Sequence, residues 1–345
     1  MNKRFIEKKL QEVIYPGLGK DIISLKTVKK IEPNGDKLRI ELAISNESVF
    51  EEIESQITNI LSKDFKFIDI TFLTNQKPSL NYGNTKKPNN RAAYAKNIIA
   101  VTSGKGGVGK STVSVNLSVA LAQMGYKVGL LDADVYGPNT PRMLGVNDER
   151  LEWNDEDKMI PSENYGIKLM SVGLTTPKSD TPLVWRSSVA VSALIQFLED
   201  VAWGELDFLV IDMPPGTGDI QLTMAQELPI TTSIIVTTPQ AVSTDDASRA
   251  VMMFKDIGVP IGGIVENMSF FITPDTGARY DIFGSGGGEM IAKRYNVPLL
   301  GQIPLTMSIR ETSDAGKPAV VTDDSIQGGY YQNIARNLLA QMGIL

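Results

Sequence analysis

Between residues 37 and 44 the chain alternates: Leu38, Ile40, Leu42 and Ile44 fall between Lys37, Arg39, Glu41 and Ala43. A period of two belongs to a strand with one buried face. Asn34-Gly35 just upstream supplies the positive-φ pair of a tight turn, so the segment is expected to form a hairpin. Before it, Phe5, Ile6, Leu10, Val13 and Ile14 recur at helical spacing; after it come a helical pattern, SVFEEIESQITNILSK, and a strand run, FKFIDITFL. The order αββαβ predicts a small separate α/β domain over residues 1–75.

The periodicity then stops. Residues 76–96, QKPSLNYGNTKKPNNRAAYAK, hold two prolines, four asparagines and five basic residues without an acid, a composition that resists core formation. The segment reads as a basic linker, with a partner-binding stretch as the functional alternative. From residue 97 to 345, apolar runs (NIIAVT, KVGLLDAD, LDFLVIDMP, TSIIVTTP, PIGGIVENMS and PLLGQIPL) alternate with helical segments. Strands so uniformly apolar are buried on both faces, which predicts a parallel sheet covered by helices.

Composition narrows the chemistry. Lys plus Arg number 34 against 40 Asp plus Glu, a net charge of −6, which argues against a surface built for nucleic acid or anionic lipid. No apolar run reaches the ~20 residues needed to span a bilayer. The N-terminus MNKRFIEKKLQEVIYPG is charged throughout, unlike a secretory signal, so a cytoplasmic protein is expected. The 345 residues contain no cysteine and no histidine, which removes disulfides, thiolate nucleophiles, imidazole bases and ordinary zinc sites. The remaining chemistry belongs to Asp, Glu, Lys, Arg, hydroxyls, backbone amides and bound metal.

Gly104 to Ser111, GKGGVGKS, satisfies G-x-x-x-x-G-K-[ST]. It follows the strand NIIAV and precedes a segment that places Val113, Leu117, Ala120, Leu121 and Met124 on one helical face before Gly125. In that context Gly104, Lys105, Gly106, Gly107, Val108, Gly109, Lys110, Ser111 and Thr112 are expected to wrap nucleotide phosphates. Lys110 reaches the β- and γ-phosphates, and the Ser111 hydroxyl binds Mg²⁺.

Two acidic motifs sit at strand ends, where ligands meet an open α/β sheet. Asp212 in IDMPPGTGD suits a Mg²⁺ contact, and Gly216 can offer its N–H to a γ-phosphate. In DADVYGPN, Asp132 lies nearer the strand and the metal, while Asp134 either orients attacking water or caps a turn. Catalytic roles are therefore expected for Lys110, Asp134 and Asp212, in hydrolysis of ATP to ADP and phosphate.

GKGGVGKS with its extra lysine, DADVYGPN, IDMPPGTGD, ENMS and FGSGGGE together resemble the Mrp/ApbC ATPases, iron–sulfur cluster carriers in the deviant Walker A group that includes MinD and ParA. The resemblance spans residues 97–345, and the αββαβ region resembles the small iron–sulfur-assembly-type domain that bacterial members carry in front. It implies a homodimer in which Lys105 reaches the phosphates held by the other subunit, as an arginine finger does. It implies that Asn267 reads adenine, helped by the loop near Pro304, although Asn267 also suits a turn. It implies iron–sulfur assembly proteins or client apoproteins as partners.

Many relatives place C-x-x-C between ENMS and FGSGGG, and the matching positions here are Thr273 and Thr276, with Asp275 beside them. Hydroxyls are poor ligands for iron–sulfur clusters, so no cluster ligand is assigned in this chain. The glycines of GSGGG form either an anion nest or a flexible connection. A MinD- or ParA-like positioning ATPase is the competing function. Its membrane version calls for a basic amphipathic C-terminal helix, yet SIQGGYYQNIARNLLAQMGIL carries only Arg336.

Overall fold

The computed structural model describes residues 3–16, 21–25, 27–44, 49–72, 91–175, 187–322 and 326–345. The chain forms two compact units, residues 1–86 and 87–345.

In the first unit, helix α1 (Lys3–Leu10) and helix α2 (Phe50–Leu61) accompany strands β1 (Val28–Asn34), β2 (Lys37–Leu42) and β3 (Phe67–Phe72). β2 is central, antiparallel to β1 and parallel to β3. The alternation read from the sequence is realised: Leu38, Ile40 and Leu42 are buried with Ile6 and Leu10 of α1 and Ile53 and Ile57 of α2. The turn differs in detail. Asn34 pairs with Lys37 as the last residue of β1, and only Gly35 has a positive φ, 58°. A two-residue Gly35-Asp36 loop with glycine first is a type II′ turn, which needs no left-handed asparagine.

Residues 76–90 of the segment read as linker lie outside the described residues. Residues 91–96 belong to the second unit: Ala92 is buried and β4 begins at Ala95.

The second unit is built on eight strands in the order β15-β12-β11-β4-β10-β5-β9-β8. They are β4 (Ala95–Ser103), β5 (Val128–Asp132), β8 (Ser162–Asn164), β9 (Ile167–Ser171), β10 (Leu206–Asp212), β11 (Thr232–Thr237), β12 (Ile261–Glu266) and β15 (Leu299–Gln302). All neighbours run parallel except β8 and β9. Two short ribbons lie outside this sheet, β6 (Glu152–Trp153) with β7 (Met159–Ile160) and β13 (Phe271–Ile272) with β14 (Arg279–Tyr280).

Both faces of the sheet are covered, as the apolar strands predict. Ile99, Val101, Phe208 and Val210 face α3 (Lys110–Gln123) and α10 (Ile326–Gln341). Their neighbours Ile98, Ala100, Leu209 and Ile211 face α5 (Ser187–Glu199) and α6 (Asp219–Glu227). Ile235 and Ile264 pack on α7 (Ala241–Asp256) and α8 (Gly287–Tyr295). The short α4 (Thr140–Met143) packs on α9 (Met307–Asp314).

Helix α3 departs from the one-sided pattern read in the sequence. Val115 and Val119 are buried as well as Val113, Leu117 and Leu121, because the helix lies between the sheet and α10. It stops where expected, at Gly125, whose φ of 92° is the left-handed value of a helix C-terminus.

Candidate nucleotide site

The sheet order assembles the site. β10 sits between β4 and β5, so Asp212 at its end pairs in register with Val101 on one side and Asp132 on the other. The loop that continues β4 therefore opens beside two carboxylates from distant parts of the sequence.

Within the loop, Gly107 and Gly109 have φ of 81° and 83°, the left-handed values that turn successive N–H groups into one hollow. Gly104 is demanded by space: a Cβ there would overlap the Asp246 backbone in the second turn of α7. Lys110 opens α3 and is only 6% exposed. Its ammonium lies 2.8 Å from Oδ1 of Asp212 and 4.0 Å from Oδ2 of Asp134.

Asp212 is buried and well supplied with donors. The Ser111 hydroxyl donates to its Oδ2 at 2.6 Å, and Ser114, one turn along α3, donates to its Oδ1 at 2.7 Å. Ser114 was not legible as a site residue. Small hydroxyls are common on helices, and only the packing of α3 against β10 aims this one.

The two aspartates of DADVYGPN separate. Asp132 is buried, and its Oδ2 accepts from the Thr140 hydroxyl at 2.8 Å and the Ser171 hydroxyl at 3.1 Å, while Oδ1 accepts from the Asp134 N–H at 3.1 Å. Burial first, and then the Asp212 charge, push its pKa up to about 7. Its oxygens thus tie β5 to α4 and β9, within reach of the Asp212 and Lys110 charges. Burial likewise raises the pKa of Asp134, opposed by the Lys110 charge and by the nearby N–H groups of Gly137 and Tyr136. Asp134 is thus both beside the loop and at the head of its own turn.

Three further expected residues take particular places. The Gly216 N–H, expected to meet a γ-phosphate, donates to the Ser103 carbonyl at 2.9 Å, beside the start of the loop. Asn267 is buried and donates from Nδ2 to the Val108 carbonyl at 2.8 Å. Pro304 is buried in the segment after β15, where Ile303 accepts from the Ser269 N–H at 2.9 Å, so this segment runs beside ENMS. Lys105 and Thr112 are half-buried, and Lys105 has no ion-pair partner among the described residues.

The glycines of GSGGG are settled by packing. Gly286 caps α8 with φ 74°, and Cβ atoms on Gly287 and Gly288 would collide with Pro239 and with the Glu266 side chain. The buried Glu266 carboxylate accepts from the Gly288 N–H, from Ser269 at 2.5 Å and from Gln302 at 2.9 Å. The helix end therefore does cradle an anion, and the anion is the chain's own. Downstream of ENMS, the Thr273 and Thr276 hydroxyls meet at 2.5 Å on the β13–β14 ribbon.

The chain is similar to several known proteins. Over 322 residues the chain is 45% identical to an iron–sulfur cluster carrier protein of Haemophilus influenzae, covering 92% of this chain and 85% of that one. Over 335 residues it is 42% identical to the protein of that name in Escherichia coli K12, covering 95% and 89%. A nucleotide-binding protein of Archaeoglobus fulgidus, solved in complex with ADP, superposes with a TM-score of 0.59 at 38% identity, covering 66% of this chain and 89% of that one. The cell division ATPase MinD of Pyrococcus furiosus superposes at 0.54 with 26% identity, over 71% and 99%. A ParA-class family model described as NUBPL iron-transfer P-loop NTPase matches residues 94–339, and with these relatives it shows that the chain belongs to the iron-transfer P-loop NTPase family.

Proposed function

We propose that the protein binds ATP with Mg²⁺ in the 104–112 loop, hydrolyses it to ADP and phosphate as a homodimer, and uses that cycle in delivering or assembling iron–sulfur clusters on apoproteins. The observation that carries the nucleotide half is Asp212, which holds Lys110 and Ser111 together at the mouth of two left-handed glycines. Lys110 is poised to exchange its carboxylate partner for phosphate oxygens.

The residues present fit Mg²⁺. Ser111 would hold the ion through its hydroxyl oxygen while still donating its proton to the hydrogen bond with Asp212, and Asp212 would act through a water. When bound, the ion would neutralise charge on the β- and γ-phosphates. Asp134 would orient the attacking water from its half-buried place 4.0 Å from Lys110. Gly216 would first have to release the Ser103 carbonyl. Asn267 and the Pro304 segment would border adenine, and Lys105 would complete the partner's site in trans.

The cluster is cargo, and here the chain does not fit the usual carrier chemistry. With no Cys or His in 345 residues it offers neither thiolate nor imidazole, so the cluster's ligands would come from a partner protein. A MinD- or ParA-like positioning role shares the fold. Against its membrane form, α10 carries Arg336 as its one basic residue, where surface attachment calls for a basic amphipathic helix. The deciding experiment is a pull-down with Asp134→Asn held with ATP. Enrichment of iron–sulfur assembly proteins or apoproteins supports delivery, and their absence, with ATP turnover intact in the unmodified protein, refutes it.

A further inference from the structure

We propose that Asn267 is a positioning residue of the phosphate loop, acting on the loop backbone whether or not a base is present. The inference rests on reading the loop as a nucleotide site and extends the expectation that Asn267 contacts adenine. Its Nδ2 donates to the Val108 carbonyl at 2.8 Å, a contact with the loop backbone itself.

A trans peptide is planar, with C=O and N–H pointing in opposite directions. Fixing the Val108 carbonyl toward Asn267 therefore turns the Gly109 N–H away from it. Gly109 immediately precedes Lys110, and its φ of 83° is a conformation from which a peptide can flip unless held. The same glycine makes room for the holder, because a Cβ on Gly109 would overlap Nδ2 of Asn267. The Asn267 backbone N–H donates to the Thr237 carbonyl at 2.8 Å, which pins it to the end of β11. On its other side Glu266 is locked by Ser269, Gln302 and the first turn of α8. Asn267 is thus a fixed post from which one donor reaches the loop.

The test has two parts, each using Asn267→Ala and Asn267→Asp. The aspartate has nearly the shape of asparagine but no donor, so both variants should lose the tie. In the protein without nucleotide, amide hydrogen exchange over residues 104–112 should accelerate about three- to tenfold, as expected for loss of one neutral hydrogen bond. Peptides from β4 and β10 should stay at wild-type rates, which shows the fold intact. Unchanged exchange in the loop overturns the proposal. Magnesium tripolyphosphate, which has no base, should then compete less well for the loop in both variants, by about the same factor as ATP. Weakening confined to ATP would assign Asn267 to the base alone and overturn the proposal. Should the unmodified protein bind neither ligand, the nucleotide reading fails, while the exchange comparison still decides the tie.

Discussion

Lys110 and Asp212 form an ion pair of 2.8 Å with side chains 6% and 1% exposed. Removing one partner of a sealed pair leaves an uncompensated charge, which costs about 3–5 kcal/mol. Two serines share the Asp212 load, so the lower end is expected. Lys110→Ala should lose ATP binding and lower the urea midpoint, and adding Asp212→Asn should restore much of the stability but no binding. Additive losses in the double variant would show that the pair is not coupled.

Lys105 contributes nothing visible to its own loop beyond a backbone carbonyl that accepts from Ser103. Lys105→Ala should therefore bind ATP as well as the unmodified protein while losing roughly 10²- to 10⁵-fold in turnover, by analogy with cations supplied in trans. Mixing it with Lys110→Ala should recover part of the activity, because mixed dimers would hold one complete site. Equal losses in binding and turnover would place Lys105 in its own site.

The loop glycines differ in their tolerance. A Cβ on Gly104 meets the Asp246 backbone, which cannot yield, whereas a Cβ on Gly106 meets nothing within 4 Å and needs no positive φ. Gly104→Ala should cost about 1–3 kcal/mol, as overpacking does, and Gly106→Ala should melt within a degree or two of the unmodified protein. Similar melting of both would contradict the close approach of loop and α7.

After anaerobic reconstitution, the isolated protein should hold no chelator-resistant iron and sulfide. Thr273→Cys with Thr276→Cys should change that, because their hydroxyls already meet at 2.5 Å, so each subunit would present two thiolates and the proposed homodimer, with this ribbon at its two-fold, the four that a cluster needs. Stoichiometric cluster on the unmodified protein would overturn the prediction. So would a double variant that stays iron-free.

Asp207 joins two strand starts, accepting from Lys96 at 2.8 Å and from the Lys127 N–H at 2.9 Å. The hydrogen bond from Lys96 leads the effects that hold its pKa below the ordinary carboxylate value. A depressed pKa gives stability that is present above about pH 3.9 and is lost as pH falls through the folded value. Asp207→Asn should accordingly flatten the acid side of the stability curve below about pH 4. A variant curve parallel to the original there would refute the linkage.

Six strands of the main sheet were legible because each is a continuous apolar run, and the phosphate loop because its residues are contiguous. β8 and β9 were not read. They are short, and they turn through Tyr165 and Gly166, both at positive φ, where tyrosine gives no turn signal. What the sequence concealed in the site are contacts between distant segments. The Ser114 hydroxyl, the Glu266 carboxylate and the reach of Asn267 to Val108 become visible only when α3, α8 and β12 converge. Asp132 illustrates the limit from the other side: its motif marked it as polar at a strand end, but only its neighbours Thr140 and Ser171 show where its oxygens point.

The insertion of β10 between β4 and β5 also bears on how the protein is made. On the ribosome the phosphate loop and Asp132 emerge well before Asp212, so an emerging chain has a strand-wide gap where the site belongs. Nucleotide therefore has nothing complete to grip until residues 206–212 slot into that gap, and ligand stabilisation arrives only after that insertion. The first unit, whose three strands all come from the leading stretch of the chain, can close long before.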